Sequence, residues 1–264
     1  MPALRAEIGR VGLAALGAAF SFISTDAMAG AWTQDKGRGL LITTVTVSRA
    51  TDGFNDFGAV VDTPKFAKED YELYGEYGLT RRLTALLHTR YTHLHPDPPG
   101  EKASGLGEGE IGLRYGLYDG KRGVFSVQAS VFVPGDTVLT SGSVDGEIRF
   151  NLGSKLKLWR VTGFLDTGVA YRGRMNRFRD ELRSDTTLGI NVSRSVQLLV
   201  QSFTVITVGP GRTTAFQGQM TKAELSVLYR FAPRWGVQLG GLATLTGTGV
   251  PRERAGVAAL WYSF

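Results

Sequence analysis

Histidine occurs only three times, at His88, His93 and His95, and cysteine is absent. Thiol catalysis, disulfide scaffolds and thiolate metal sites are thereby excluded. His93-x-His95-x-Asp97 sets two imidazoles and a carboxylate on alternate residues, which share one face of an extended chain and match part of a zinc set. Pro96, Pro98 and Pro99 mark a loop there and the further histidine of such sites is missing, so a solvated loop is favoured and no metal or cofactor is expected. The larger chemical signal is charge spaced by two. Lys68, Asp70, Glu72 and Glu76 alternate in one stretch, His88 and Arg90 in the next, then Glu108, Glu110 and Arg114, then Asp145, Glu147 and Arg149. Asp166, Arg172, Arg183, Asp185, Lys222, Glu224 and Arg230 continue the series. Residues spaced by two line one face of a β-strand, where opposite charges on neighbouring strands can pair across the ladder. The arginines Arg172, Arg174, Arg177, Arg179 and Arg183 form the one basic cluster; guanidinium suits phosphate, so contact with lipopolysaccharide stands beside a merely solvated loop.

Strands must position these groups, because from Arg38 onward the hydrophobic period is two. One parity is apolar, as in Tyr71, Leu73 and Tyr77, or Ile111, Leu113 and Tyr115, or Leu225, Val227, Tyr229 and Phe231. The other carries the charges. Compact turn signals recur at Gly78-Leu79-Thr80-Arg81, Tyr118-Asp119-Gly120-Lys121, Gly153-Ser154-Lys155, Val192-Ser193-Arg194 and Ala232-Pro233-Arg234. Their repeat of about 35 to 40 residues is one long hairpin. Between them lie longer connections, including Ala50 to Lys65, Pro134 to Gly142 and Thr246 to Arg252. Twelve strands follow, at 39–48, 67–78, 83–94, 107–117, 124–133, 144–153, 159–172, 181–192, 196–206, 220–231, 235–245 and 254–264. Short turns on one side and long loops on the other fit an all-β, transmembrane, antiparallel up-and-down β-barrel. A soluble sandwich would alternate too, but it would bury the apolar face and expose the charged one.

The apolar run Val11 to Ile23 follows Arg5 and Arg10 and ends before Ala27-Met28-Ala29, the layout of a secretory signal cleaved after Ala29. Residues 1–29 are thus expected to be a leader and 30–264 the barrel, with the bacterial outer membrane as destination. A net charge of +6, without a basic face, gives no reason to expect nucleic acid. Trp32, Trp159, Trp235 and Trp261 fall near the short turns or the termini, where an interfacial aromatic girdle is expected.

Gly256-x-Ala258-x-Leu260-x-Tyr262-x-Phe264 resembles the carboxy-terminal signal by which the barrel-assembly machinery recognises outer-membrane barrels, with Leu260, Tyr262 and Phe264 as its outward residues. Gly30-Ala31-Trp32-Thr33 and Glu76-Tyr77-Gly78-Leu79-Thr80, with the overall plan, resemble the meta-pathway-of-phenol-degradation outer-membrane transporter family. The resemblance implies passive uptake of small organic compounds, aromatic ones included, and implies no site residues. From parity, the lumen of a monomeric channel would be constricted by Glu72, His88, Arg90, Glu110, Arg114, Glu147, Arg149, Asp166 and Glu224, sorting small permeants by size and charge. With only about nine residues ahead of the first strand no plug is expected there, while Ala50 to Lys65 is long enough to fold inward. A structural or adhesive barrel in contact with outer-membrane lipid is the alternative. A lipid-modifying enzyme is a weaker one: His93 has lipid parity, but the His-x-Ser-Asn-Gly signature of outer-membrane phospholipases is missing, so no catalytic residue is assigned.

Overall fold

The computed structural model describes residues 30–97, 103–136, 139–140, 142–158, 161–174, 179–209 and 218–264; the expected leader, Trp159 and Arg177 lie outside them. The described strands are β1 (Gly39–Phe54), β2 (Val60–Gly78), β3 (Leu83–Asp97), β4 (Ala103–Leu106), β5 (Gly109–Asp119), β6 (Gly123–Val133) and β7 (Asp145–Leu158). They continue as β8 (Val161–Arg174), β9 (Asp180–Asn191), β10 (Val196–Val208), β11 (Gln219–Ala232), β12 (Trp235–Gly247) and β13 (Val250–Ser263). Each pairs antiparallel with its neighbours, and β1 closes the sheet on β13 with Leu40 opposite Ser263 and Arg49 opposite Arg254. Strands β4 and β5 share one place in the wall, since both pair with β3. The result is a closed twelve-stranded antiparallel barrel whose fourth strand is interrupted.

The interruption has local causes. Gly107 donates its N–H to the Arg90 carbonyl at 2.8 Å, while β6 pairs with β5 and β7 and not with β4. The free edge of β4 is met instead by Asp136. Its N–H donates to the Leu106 carbonyl at 2.8 Å, and its carboxylate accepts the Leu106 N–H at 2.7 Å. A Cβ on Gly135 would stand 2.2 Å from the carbonyl oxygens of Leu106 and Gly107, so this approach requires glycine.

Burial decides which side faces what. Along β7, Glu147 is 4% exposed while its neighbour Ile148 is 54% exposed. The same contrast holds for Glu110 against Ile111 and Glu224 against Leu225. Charges face in and apolar side chains face out, the reverse of a soluble sandwich and the arrangement of a barrel surrounded by lipid. On the outer wall by the chain terminus, Phe264 stacks on Tyr262 and Tyr77 at 5.8 and 6.4 Å, and Trp235 lies 4.5 Å from Tyr262.

Several connections differ from expectation. Ala50 to Lys65 is no inward loop, because β1 runs on to Phe54 and β2 begins at Val60, leaving Phe57 at a projecting tip, 94% exposed. Paired backbone is satisfied without folding back, and a register shift between Ala50 and Asp52 absorbs the polar residues. Gly153-Ser154-Lys155 is strand rather than turn, and β7 continues to Leu158. Thr246 to Arg252 shrinks to a tight turn around Thr248 and Gly249, where Gly249 takes φ 65°. The segment that does fold inward follows β6: Leu139, 4% exposed, packs inside with Ala50, Phe66, Leu94 and Ala103.

Candidate functional site

The lumen contains a feature that strand patterning did not predict. Residues before β1 enter it from the terminal rim. At Gly37, with φ 77°, the chain reverses, and Gly37 and Gly78 tie it to β2 through backbone bonds of 2.9 Å. Inside, Gln34 donates its N–H to Thr84 Oγ1 at 2.8 Å and its side-chain amide to Glu76 at 2.6 Å. Arg114 donates to the Trp32 carbonyl at 3.1 Å, and the Ala31 N–H reaches the Asp166 carboxylate at 2.8 Å. The Trp32 ring meets Phe164 edge-on at 5.8 Å and lies on Gly153, where a Cβ would stand 2.6 Å from the ring. Gly153 is therefore glycine for space, which explains why its turn-like composition misleads.

Around this segment the walls carry paired charges. Arg114, Glu76 and Tyr74 form one group: Arg114 donates to Glu76 at 2.7 Å, Tyr74 donates to Glu76 at 2.5 Å, and Gln128 bridges Arg114 and Glu110. Glu72 pairs with His88 at 3.2 Å and Arg90 at 3.4 Å. Arg149 bonds Glu147 at 3.0 Å and also Asp185. Toward the long-loop rim, Arg172 is held between Glu108 and Asp145 and over the Phe132 ring, while Arg174 joins Asp145 to Glu181. On the facing wall Lys68 pairs with Asp70 and Glu253, and Lys222 with Glu253. Asp166 and Glu224 differ from the rest: among the described residues neither makes an ion pair, and Glu224 is held by the Gln238 amide at 2.9 Å. A cavity of about 420 Å³, counting its open mouth, lies between Gly30, Tyr74, Glu110, Arg114, Arg149, Asp166 and Asp185.

Parity thus brings Glu72, His88, Arg90, Glu110, Arg114, Glu147, Arg149, Asp166 and Glu224 into one lumen. Leu260, Tyr262 and Phe264 sit on the β13 end, with Leu260 and Phe264 exposed on the outer wall. The described tryptophans do not all face outward. Trp235 faces out, but Trp261 faces in, packing on Leu40, Ile42, Tyr74, Leu86 and Ala259 and donating to Gln238 at 3.0 Å. Trp261 has the parity of Val257 and Ala259, and Trp32 lies in the lumen. Position near a terminus suggested an interface for both, but strand parity turns Trp261 inward and the bonds of segment 30–36 hold Trp32 in the lumen. Of the arginine cluster, Arg172, Arg174 and Arg183 face the lumen and are neutralised by carboxylates, so they are not presented to lipid phosphate. His93 faces out and its Nδ1 is 2.8 Å from Ser104 Oγ, so that nitrogen is committed to a hydroxyl. Glu253 and Glu181 were missed as lumen groups, although Arg-x-Glu spacing at 179–181 and Glu253 two residues before Ala255 carried the inward parity.

No family model matches the chain, and no curated protein is similar to it in sequence. Solved structures are similar in fold. An outer-membrane channel from Pseudomonas putida F1 superposes with a TM-score of 0.70 at 13% identity, covering 89% of this chain and 98% of that one. The NanC porin gives 0.54 at 10% identity over 83% and 98%. The transport unit of the autotransporter AIDA-I from Escherichia coli gives 0.51 at 10% identity over 97% and 99%. At these identities the likeness concerns the barrel and transfers no residue.

Proposed function

We propose that the chain is a bacterial outer-membrane channel passing small solutes passively through a narrow, charged lumen, exported by a leader at 1–29 and working as a monomer without a cofactor. The observation that carries this is the polar lumen itself: charged groups face inward from β2, β3, β5, β7, β8, β9, β11 and β13, pair along the walls, and leave a cavity between them. Twelve strands enclose more space than side chains fill and less than an open porin, so the seated segment and the inward Leu139 loop set the bore. The similar solved structures include an outer-membrane channel and a porin, in agreement with transport.

The lumen is two-faced near the terminal rim. Leu40, Ile42, Leu86 and Trp261 make an apolar wall, with Trp32 and Phe164 as further rings and the Arg114–Glu76 group as the polar side. Such a lining suits small amphipathic organic solutes, aromatic ones among them, in keeping with the resemblance to the phenol-pathway transporters. Liposomes carrying the purified protein should swell in small uncharged aromatic solutes and more slowly in larger sugars. Swelling no faster than in protein-free liposomes, for every solute tried, would favour a structural or adhesive barrel.

The His93–Ser104 hydrogen bond is the one observation that favours a lipid-acting enzyme, since it sets a base beside a hydroxyl on the outer wall. We expect no fatty-acid release from phospholipid or lipopolysaccharide vesicles. Release abolished in both His93→Ala and Ser104→Ala would establish that activity instead.

A further inference from the structure

Asp166 is the buried carboxylate in the lumen whose bonds come from the main chain. It is 5% exposed, makes no ion pair among the described residues, accepts the Ala31 N–H at 2.8 Å, and lines one cavity with Gly30. Arg114 and Arg149 act on it electrostatically, yet their N–H groups go elsewhere: Arg114 to Glu76, Gln128 and the Trp32 carbonyl, Arg149 to Glu147 and Asp185. A carboxylate so withdrawn from water calls for a counter-charge. The group already placed to supply one is the Gly30 nitrogen.

We infer that removal of residues 1–29 makes Gly30 the first residue and turns its nitrogen into an α-ammonium that pairs with Asp166, locking segment 30–36 inside the lumen. The chemistry is ordinary peptide hydrolysis. Water adds across the Ala29–Gly30 amide, the C–N bond breaks, Ala29 keeps the oxygen as a carboxylate, and the Gly30 amine takes up a proton. An α-amino group has a reference pKa of about 7.7–8.0, so it is mostly charged at neutral pH. With the leader attached, the same atom is a neutral amide with one hydrogen and brings Asp166 no charge. Processing therefore completes the Asp166 pair, and the binding site for the new terminus is the cavity beside Gly30, Asp166 and Asp185.

The inference rests on the cleavage that the channel proposal also invokes, so its test reads neither transport nor localisation. The folded protein is purified in detergent, its first residue determined by N-terminal sequencing, and its α-amine labelled with 2-pyridinecarboxaldehyde, which reacts at the α-amine and not at lysine. Labelling is followed by mass spectrometry. A chain beginning at Gly30 should label at least tenfold more slowly folded than unfolded, Asp166→Asn should remove most of that protection, and Asp166→Glu should retain part of it. Faster gel migration without heating confirms that each variant is folded. A different first residue, rapid labelling of the folded wild type, or full protection in Asp166→Asn would overturn the inference. The channel proposal survives the first of these outcomes, and loss of swelling in liposomes would leave the labelling result intact.

Discussion

Arg172 is fully buried between the carboxylates of Glu108 and Asp145. Removing one member of such a group strands the others without a counter-charge, which typically costs about 3–5 kcal/mol. Arg172→Ala should lower the urea midpoint of the heat-modifiable band by that equivalent, whereas Arg254→Ala, exposed on the outer side of β13, should shift it little. Charge also sets ion preference. Among the described residues Glu224 has no cation paired with it, so Glu224→Gln should reduce cation preference in reversal-potential measurements while keeping the Gln238 bond partner in place. Arg149 offsets Glu147 and Asp185, so Arg149→Ala should raise that preference. The opposite ordering would show that permeating ions do not pass these residues. Inward charge was readable at this scale because parity is local: Tyr71 against Glu72 needs no partner to be interpreted. Trp32 was not readable, since its place depends on space left by Gly153 on a strand more than a hundred residues away.

Elements follow from backbone accounting. Strand β4 has neighbours on one side only, and its other edge depends on Asp136, which receives the Leu106 N–H and donates to the Leu106 carbonyl. Asp136→Ala removes the carboxylate acceptor, so amide exchange by mass spectrometry should quicken at 103–107 and remain unchanged on β7 to β13. Uniform quickening would mean that Asp136 supports the whole barrel instead of this edge. Hairpin count and strand spacing were legible because short turns recur at a fixed interval. Strand ends were less so. Gly153 looked like a turn yet serves as a cradle, and Asp52, Gly53 and Asp62 looked like loop yet sit in a paired, bulged ladder, since composition does not distinguish a projecting hairpin from a loop.

The whole molecule depends on closure. Gly39 and Phe264 exchange two backbone bonds of 3.0 Å, and the Phe264 ring joins Tyr77 and Tyr262 on the outer wall. Phe264→Asp puts a charge on that lipid-facing edge, and the variant is expected to stay in the periplasmic fraction; its recovery from outer membranes at wild-type level would remove Phe264 from the assembly signal. Barrel architecture was legible in the alternation of apolar and charged residues, whereas the contents of the lumen were not, because the Leu139 loop and the segment before β1 obey no period. The most direct measurement is single-channel recording in planar bilayers of the wild type beside a variant lacking residues 30–36. Small steps with modest cation preference are expected from the wild type, and larger steps from the shortened chain. No conductance from either protein would contradict a channel.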